Sequence, residues 1–229
     1  MKVSMYDTLL ELPLFQGLTK ENITSIIEKI KMGFHKFENR QNIALQNSKC
    51  NNLIFILNGK VKVTTKDEKY NFTIEEDIEG PYIIEPQSLF GMHTNFKSSY
   101  FADKDVETLS IDKNYILSNL CKYEIFNLNY LNILSNRAQT VHNKLWNSHI
   151  GNTEEKIMNF LVYRCVTPFG KKTLLITMED LADLIDDTRI NVSRALNALQ
   201  EKKFLVLSRK KIIINDLALL AAEINNKQS

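Results

Sequence analysis

The segment ITMEDLADLIDDTRINVSRALNALQEKKF, residues 176–204, predicts the architecture of this chain more specifically than any other stretch. Thr177 and Thr188 each precede a run in which apolar side chains recur every three or four residues, the pattern of a capped amphipathic helix. Asp186 and Asp187 separate the runs, which leaves a turn of about three or four residues, the length that a helix-turn-helix needs. The apolar positions are Leu181, Ala182, Leu184 and Ile185, then Val192, Ala195, Leu196 and Leu199.

The residues after this segment predict a β-hairpin. Two short apolar runs, residues 205–207 and 212–214, flank a polar turn. A hairpin after a helix-turn-helix gives the outline of a winged helix, and three cations in its turn are suited to phosphate contacts. The turn residues are Ser208, Arg209, Lys210 and Lys211.

The polar face of the second helix has two interpretations. On a purely structural helix these side chains are solvated, and matches to such a pattern are often false. On a recognition helix they contact bases and phosphates, because Arg pairs bidentately with guanine and Asn with adenine in the major groove. We expect the DNA-binding residues to be Thr177, Thr188, Arg189, Asn191, Ser193, Arg194, Arg209, Lys210 and Lys211.

Composition and charge limit the class of protein. The chain is 44% hydrophobic and 24% charged, which is ordinary for a folded protein. Residues 1–150 hold 17 Lys+Arg and 17 Asp+Glu of the totals of 29 and 27, so the whole net charge of +2 lies in residues 151–229. This excess supports nucleic-acid binding only weakly, since nucleic-acid-binding domains are often far more basic.

We expect a cytoplasmic protein with no membrane partner, no metal and no cofactor. No run approaches the roughly 18 apolar residues of a membrane span, and the N-terminus lacks the order of a secretory signal. Cys50, Cys121 and Cys165 stand singly, without the spacing of a zinc or iron–sulfur site.

Between residues 33 and 111 the sequence changes to short β-like runs, preceded by two short helices, the second capped by Thr19. Asn58-Gly59 is the strongest hairpin signal of the chain and predicts a hairpin between the runs that it joins. Strands at this spacing predict a sandwich or a barrel-like roll. The runs are residues 34–37, 42–45, 53–57, 60–64, 72–74, 82–84, 96–101 and 106–111.

Asp112 is placed to cap a helical stretch that extends to about residue 150. Its apolar stripe would fit either the roll or the same helix of a second copy, and steps of three and four residues favour the second copy. Gly151 and Asn152 form a hinge, and Thr153 is placed to cap the next helix. We expect dimer contacts from Leu128, Leu131, Leu134, Ala138, Val141 and Leu145.

A β-roll, a long helix and a winged helix in this order resemble the Crp/Fnr family of bacterial transcription regulators over nearly the whole chain. The resemblance is carried by LPLFQGLTKENI near the start, LIFILNGKVKV around Asn58-Gly59, PQSLFGM at residues 86–92, and the helix-turn-helix. It implies an α+β fold with an N-terminal double-stranded β-helix (jelly-roll-like), a cyclic-nucleotide-binding-like sensor domain, at residues 1–111. A dimerisation helix at 112–150 and a C-terminal winged helix-turn-helix at 151–229 complete it. The family binds palindromic operators as a homodimer.

In this resemblance Arg189 and Arg194 match the two base-reading arginines of the family, and Thr177 and Thr188 match hydroxyls that hold the phosphate backbone. Ile190 stands where many members have a base-reading Glu. A carboxylate accepts a hydrogen bond from cytosine and isoleucine does not, so Ile190 would contact a thymine methyl or pack at the helix edge. Acidic groups near phosphate weaken binding unless they point away. Three are present: Asp183, Asp186 and Asp187.

The sensory part departs from the members that bind cyclic nucleotides. They have a Gly-Glu pair after the turn and an Arg followed by Ser or Thr about ten residues later, because a cyclic phosphate needs a cation and polar donors, and the ribose needs a carboxylate. Here Gly91 precedes Met92, and Lys97 would be the cation. Cyclic AMP is therefore not expected, and the effector, if one exists, is unidentified. The expected pocket is Leu89, Phe90, Gly91, Met92, Lys97, Ser98 and Ser99.

The leading interpretation is a dimeric, sequence-specific DNA-binding transcription regulator under the control of a small effector, with RNA polymerase as a further partner if it activates. The alternative is a ligand-binding or protein-interaction module that does not bind DNA, and salt dependence of binding would separate the two. An enzyme is the weakest interpretation, because no catalytic triad or phosphate loop is evident.

Overall fold

The computed structural model describes residues 5–29, 32–147 and 151–227. The chain forms two compact units. Unit 1 contains residues 1–62 and 78–138, and unit 2 contains residues 63–77 and 139–229. Unit 2 thus includes an internal segment from the N-terminal half of the sequence.

Unit 1 begins with two helices and continues with antiparallel strands, which confirms a predominantly β N-terminal part. A four-stranded sheet has the order β1-β8-β3-β6, and β2 pairs with β7. The helices are α1 (Met5–Glu11) and α2 (Lys20–Lys29). The strands are β1 (Gly33–Phe37), β2 (Asn42–Ala44), β3 (Asn52–Asn58), β4 (Lys60–Asp67), β5 (Phe72–Glu79), β6 (Tyr82–Ile84), β7 (Ser99–Ala102) and β8 (Val106–Asp112), with β4 and β5 continuing into unit 2.

The Asn58-Gly59 pair does not form the expected hairpin. β3 pairs with β6 and β8, whereas β4 lies in a different sheet. Gly59 has φ +100°, and a Cβ there would lie 2.5 Å from the carbonyl oxygen of Asp105. Glycine is needed here because the chain turns with a positive φ at a close backbone approach on leaving one sheet for another, a use of the same dipeptide that the hairpin rule does not distinguish.

Aromatic side chains form the centre of the unit 1 core. The ring of Phe15 lies 5.8 Å from that of Phe55 and 5.7 Å from that of Phe126, measured between centroids, and all three are fully buried. The amide nitrogen of Asn129 donates to the carbonyl oxygens of Leu14 and Gln16. The LPLF stretch therefore packs against the helix that carries Phe126 and Asn129.

The helical stretch predicted from residue 112 to about residue 150 is not one helix. It comprises α3 (Lys113–Ser118), a 3-10 turn (Leu120–Lys122) and α4 (Glu124–Asn147). Asp112 caps α3 as predicted, accepting from the backbone N–H of Asn114 at 2.7 Å. The break falls at Asn119, whose φ of −126° and ψ of −53° lie outside the helical region. Asparagine favours such helix ends because its side chain competes with the backbone for hydrogen bonds.

Unit 2 contains the predicted winged helix. Its strands follow the order β10-β11-β9-β5 in antiparallel pairs. β9 and α8 were not predicted from the sequence. The elements are α5 (Thr153–Arg164), β9 (Lys172–Leu175), α6 (Met178–Ile185), α7 (Arg189–Glu201), β10 (Leu205–Ser208), β11 (Lys211–Ile214) and α8 (Leu217–Lys227).

The cap of α5 differs from the expected one. Asn152, not Thr153, is the N-cap, and its side chain accepts from the N–H of Glu155 at 3.1 Å. The Glu155 carboxylate in turn accepts from the N–H of Asn152 at 2.9 Å. This reciprocal capping box satisfies two backbone donors, which a threonine one residue later cannot do.

A buried ion pair joins β5 to β9 inside unit 2. The Lys172 ammonium lies 2.7 Å from the Glu76 carboxylate, and each side chain is 1% exposed. Glu76 also accepts from the N–H groups of Val166 at 2.7 Å and Thr167 at 3.1 Å, and Lys172 donates to the Thr167 hydroxyl. A buried charge is tolerated only when it is paired and hydrogen-bonded, and this cluster meets both conditions.

Apolar packing extends the same contact. Phe72 on β5 is 5% exposed, and its ring lies edge-on to that of Phe160 in α5 with centroids 5.5 Å apart. The Arg164 guanidinium lies over both rings. β5 is thus part of the hydrophobic core of unit 2 as well as of its sheet. Across the three described stretches, no helix is long and apolar enough to cross a membrane.

We expect Lys172→Met to lower the free energy of unfolding by about 3–5 kcal/mol, because Glu76 is left as an unpaired buried charge. The double variant Glu76→Gln/Lys172→Met should recover most of this loss, since glutamine keeps an acceptor for the two N–H groups. Urea denaturation measures both.

The matched control is Lys202→Met, which removes a lysine whose partner Glu154 lies at the same 2.7 Å but whose side chain is 43% exposed. It should cost at most about 1 kcal/mol. Equal losses for Lys172→Met and Lys202→Met would contradict the assigned importance of the buried pair.

Candidate nucleic-acid interface

The helix-turn-helix is built as its sequence predicts. The Thr177 hydroxyl accepts from the N–H of Asp180 at 3.1 Å, and the Thr188 hydroxyl accepts from the N–H of Asn191 at 3.3 Å, which confirms both caps. Between the helices Asp186 adopts a left-handed conformation with φ +52°. The apolar stripe is buried at Leu181, Ala182, Ile185, Val192, Ala195, Leu196 and Leu199, and Leu184 packs against it partly buried.

The opposite face of α7 exposes the side chains that were predicted to read bases. Arg189, Asn191 and Arg194 are exposed, and Ser193 is half-buried. Ile190 is 65% exposed, so it does not pack at the helix edge, one of the two roles open to it from the sequence. Arg189 lies 3.5 Å from Glu179 in an ion pair whose members are both more than two-thirds exposed. Such a pair contributes little to stability and exchanges readily.

Asp187 holds the start of α7 in place. Its carboxylate accepts from the Thr188 N–H at 2.7 Å, the Asn191 side-chain amide at 2.8 Å and the Thr153 hydroxyl at 2.6 Å. These bonds, first that from Thr153, lower the pKa of Asp187. Asp187 therefore links α5 to the recognition helix and uses its oxygens internally, which the sequence alone did not indicate.

The hairpin β10–β11 presents its cations at a tight turn. Ser208 pairs with Lys211, which leaves Arg209 and Lys210 as the two exposed turn residues. Lys211 is half-buried at the start of β11, so it is less free than the other two. Lys210 has φ +55°, and its carbonyl oxygen accepts from the N–H of Ile176 at 3.2 Å, which ties the turn to the approach to α6.

A cleft of about 240 Å³ in unit 2 lies between the start of the helix-turn-helix and the turn of the β10–β11 hairpin. Residues that are distant in sequence meet there, because β11 pairs with β9, which leads directly into α6. Of the predicted DNA-binding residues, the cleft is lined by Thr177, Arg189, Arg209, Lys210 and Lys211.

The residues expected to form an effector pocket in unit 1 differ widely in their exposure. Leu89 and Ser98 are buried, Phe90 and Ser99 are half-buried, whereas Gly91, Met92 and Lys97 are exposed, Met92 at 95%. Glu85, which is not among the expected residues, is a buried carboxylate twelve positions before Lys97 that accepts a hydrogen bond from the Lys97 backbone N–H. Its detectable signal was an acidic residue in an otherwise apolar run, YIIEP.

The apolar stripe on α4 is largely exposed. Leu128 is 58%, Leu131 59% and Val141 54% exposed; Ala138 is exposed as well, and Leu134 is half-buried. The side chain of Leu145 lies outside the described residues. Among the described residues, no group of three or more His, Cys, Asp or Glu side chains could hold a metal ion, and Cys50, Cys121 and Cys165 are free thiols.

Residues 155–223 match the family model of the Crp-like helix-turn-helix domain. This part of the chain is therefore similar to Crp-like helix-turn-helix domains. This match covers α5 to α8, the elements that carry the exposed face of α7 and the hairpin turn.

The chain is also similar to proteins over stretches that extend beyond this domain. It is 28% identical over 159 residues to the "Putative HTH-type transcriptional regulator ycf28" of Porphyra purpurea, a match over 63% of this chain and 65% of that protein's length. Two solved structures share the fold. The catabolite activator protein of Thermus thermophilus is 20% identical, with 95% of this chain and all of that one covered and a TM-score of 0.51. The c-di-GMP-responsive regulator CLP of Xanthomonas campestris is 14% identical, with 86% and 99% covered and a TM-score of 0.50.

The depressed pKa of Asp187 predicts a pH dependence. A carboxylate whose pKa is lower in the folded than in the unfolded state stabilises the fold above its unfolded value, and this contribution is lost as the pH falls from about 4 through the folded pKa. We expect Asp187→Asn to be less stable than the wild type at neutral pH, with the difference shrinking below about pH 4.

Chemical denaturation between neutral and acidic pH tests this. Asp183→Asn, an exposed residue of α6, is the matched control and should show no such convergence. A constant difference between Asp187→Asn and wild type at all pH values would refute the role assigned to its charge.

Proposed function

We propose that this protein is a transcription regulator that binds a palindromic operator in double-stranded DNA as a homodimer. One observation supports this most strongly. The first two turns of α7 expose two arginines and an asparagine beside the cationic turn of the β10–β11 hairpin, within the matched residues 155–223. A recognition helix contacts bases through its N-terminal residues in the major groove, and a neighbouring cationic loop contacts phosphate.

In this proposal Arg189 and Arg194 pair with guanine, while the threonine caps and the hairpin cations bind phosphates. Binding requires an exchange of partners, because Arg189 now pairs with Glu179, and the Thr177 hydroxyl donates to Asp180 at 2.6 Å. Asn191 would be held in place by Asp187 while it contacts a base or phosphate. Ser193 is half-buried and would contribute only through its exposed edge.

Ile190 would distinguish this protein from relatives that read a base with Glu. Its side chain is exposed on the first turn of the recognition helix, where an apolar group gains by contact with the thymine methyl in the major groove. We expect the selected half-site to carry thymine at the position that Ile190 faces.

The dimer is proposed from the exposed stripe on α4. Exposed leucines at steps of three residues are suited to the same stripe of a second copy, since unpartnered apolar patches mark interaction sites. The two winged-helix domains of the dimer must lie about one helical turn of DNA, roughly 34–36 Å, apart to occupy both half-sites. A small effector bound in unit 1 would regulate the protein only if it bound more tightly to one arrangement of the two winged-helix domains than to another.

Selection of duplexes from a randomised pool, followed by fluorescence anisotropy, tests the proposal. We expect a palindromic site to emerge, with Arg189→Ala and Arg194→Ala each costing about 1–3 kcal/mol and relaxing specificity at one position. Lys210→Ala should weaken binding to all sequences equally. It should also reduce the slope of the logarithm of the binding constant against the logarithm of salt concentration by about one.

Lys36→Ala is the control for charge, because Lys36 is an exposed cation of unit 1 and its loss changes net charge by the same amount. Failure to select any duplex at low salt, with and without a pool of small metabolites, would refute DNA binding. It would favour the interpretation of the winged helix as a protein-binding surface.

For the dimer, we expect Leu131→Asp to produce a monomer in sedimentation analysis and to weaken binding to a full operator far more than to a half-site. A charge within an apolar interface is uncompensated, which disfavours association. Leu219→Asp, at a leucine of α8 that is 61% exposed, is the matched control and should leave the oligomeric state unchanged. A dimer that survives Leu131→Asp would refute the α4 interface.

A further inference from the structure

Glu85 is a carboxylate buried in unit 1 and engaged by four donors. It lies between β6 and a 3-10 turn (Pro86–Ser88) and is 4% exposed. Its oxygens accept from the backbone N–H of Lys97 at 2.8 Å and of Ser98 at 3.0 Å. They also accept from the hydroxyls of Ser88 at 2.7 Å and Tyr100 at 3.1 Å.

The donor set has the chemistry of an anion site. Two consecutive backbone N–H groups converging on one point form an anion-binding concavity, and the hydroxyls add two further donors. All four donors are neutral, and each of them is directed at an oxygen of the Glu85 carboxylate. An ionised carboxylate is an acceptor only, with room for about four hydrogen bonds, so it matches this set. Burial and the adjacent Glu85 charge raise the pKa of Tyr100 well above its ordinary value, which keeps the phenol protonated and able to donate.

The backbone at Glu85 is held in a conformation that the residue would not adopt alone. Its φ of +35° and ψ of +58° lie in the left-handed region, which disfavours residues with a Cβ. The following Pro86 disfavours helical conformations of the preceding residue still further. A strained backbone conformation persists when interactions with the surroundings outweigh its cost, and the four hydrogen bonds to the Glu85 carboxylate provide such interactions.

The Lys97 side chain takes no part in this arrangement. It is exposed, whereas the backbone N–H of the same residue is directed at Glu85. The four donors together form a nest around the Glu85 carboxylate. The Lys97 side chain, which was expected to bind an effector, lies outside this nest, whereas the Lys97 backbone N–H is part of it. Nothing in this geometry uses the side chain to compensate Glu85.

We infer that the Lys97 and Ser98 amides, with the Ser88 and Tyr100 hydroxyls, form an anion-binding site that Glu85 occupies as an internal anion. Phosphate esters and other carboxylates therefore do not bind there in the wild-type protein, because the four donors of the site are already bonded to the Glu85 carboxylate. An effector of unit 1, if it binds at this nest, must displace Glu85.

Chemical rescue of Glu85→Gly in the full-length protein tests the inference. Glycine removes the carboxylate and adopts a positive φ without cost, so the variant leaves the four donors without their anion. We expect the melting temperature of the variant to fall by several degrees and to rise again with sodium formate. Formamide, a neutral molecule of the same shape, and sodium chloride at equal ionic strength should rescue less.

Glu38→Gly is the matched control, because Glu38 is an exposed glutamate of unit 1 that undergoes the same exchange. It should show no rescue specific to formate. Equal effects of formate on Glu85→Gly, Glu38→Gly and wild type would overturn the inference.

A second measurement needs no variant. The amide resonances of Lys97 and Ser98 in the wild-type protein should not move when inorganic phosphate or cyclic AMP is added. Saturable shifts of these two resonances on adding either anion would overturn the inference, since they would show that the nest is open. If Glu85→Gly folds, the same two resonances should shift with formate.

Discussion

Unit 2 depends on the buried contact between Glu76 and Lys172. Taking two charges out of water costs several kcal/mol for each ion, and only close pairing with complete hydrogen bonding offsets that cost. The N–H groups of Val166 and Thr167 complete the coordination of Glu76. A strand from the N-terminal half of the sequence therefore belongs to the sheet of the winged helix, and this unit is not one contiguous stretch of the chain.

The surface of unit 2 follows a different physical rule from its core. Arg189 of α7 has a weak, exposed partner in Glu179, so it can exchange this partner for another anion at little cost. The residues beneath the exposed face of α7 are fixed: helix caps, the Asp187 bonds and the apolar stripe hold α7 in position. A rigid helix that carries loosely held cations suits recognition, because the geometry is preset and only the side chains must reorganise.

Unit 1 shows how a familiar pattern can change its use. Residues 97 and 98 stand where the resemblance implies an effector phosphate, yet their amides hold the chain's own carboxylate. Asn58-Gly59 shows a similar change, serving a passage between sheets where a hairpin was expected. At Asn58-Gly59 the sequence correctly indicated a tight turn but not which strands pair across it. At residues 97 and 98 it drew attention to the side chains, whereas the structure uses the backbone N–H groups.

The sequence by itself determined the features that depend on neighbours within a few residues. These are the capped helices of the helix-turn-helix, the two-stranded hairpin after them, most strands of the roll and the exposed polar face of α7, all of which follow from periodicity and capping. Only the tertiary structure decided that β5 joins β9, that Asp187 accepts from Thr153 of α5 and that Glu85 accepts from the amides of Lys97 and Ser98. Each of these depends on which distant groups can satisfy a buried charge or a backbone donor, and no local pattern encodes that choice.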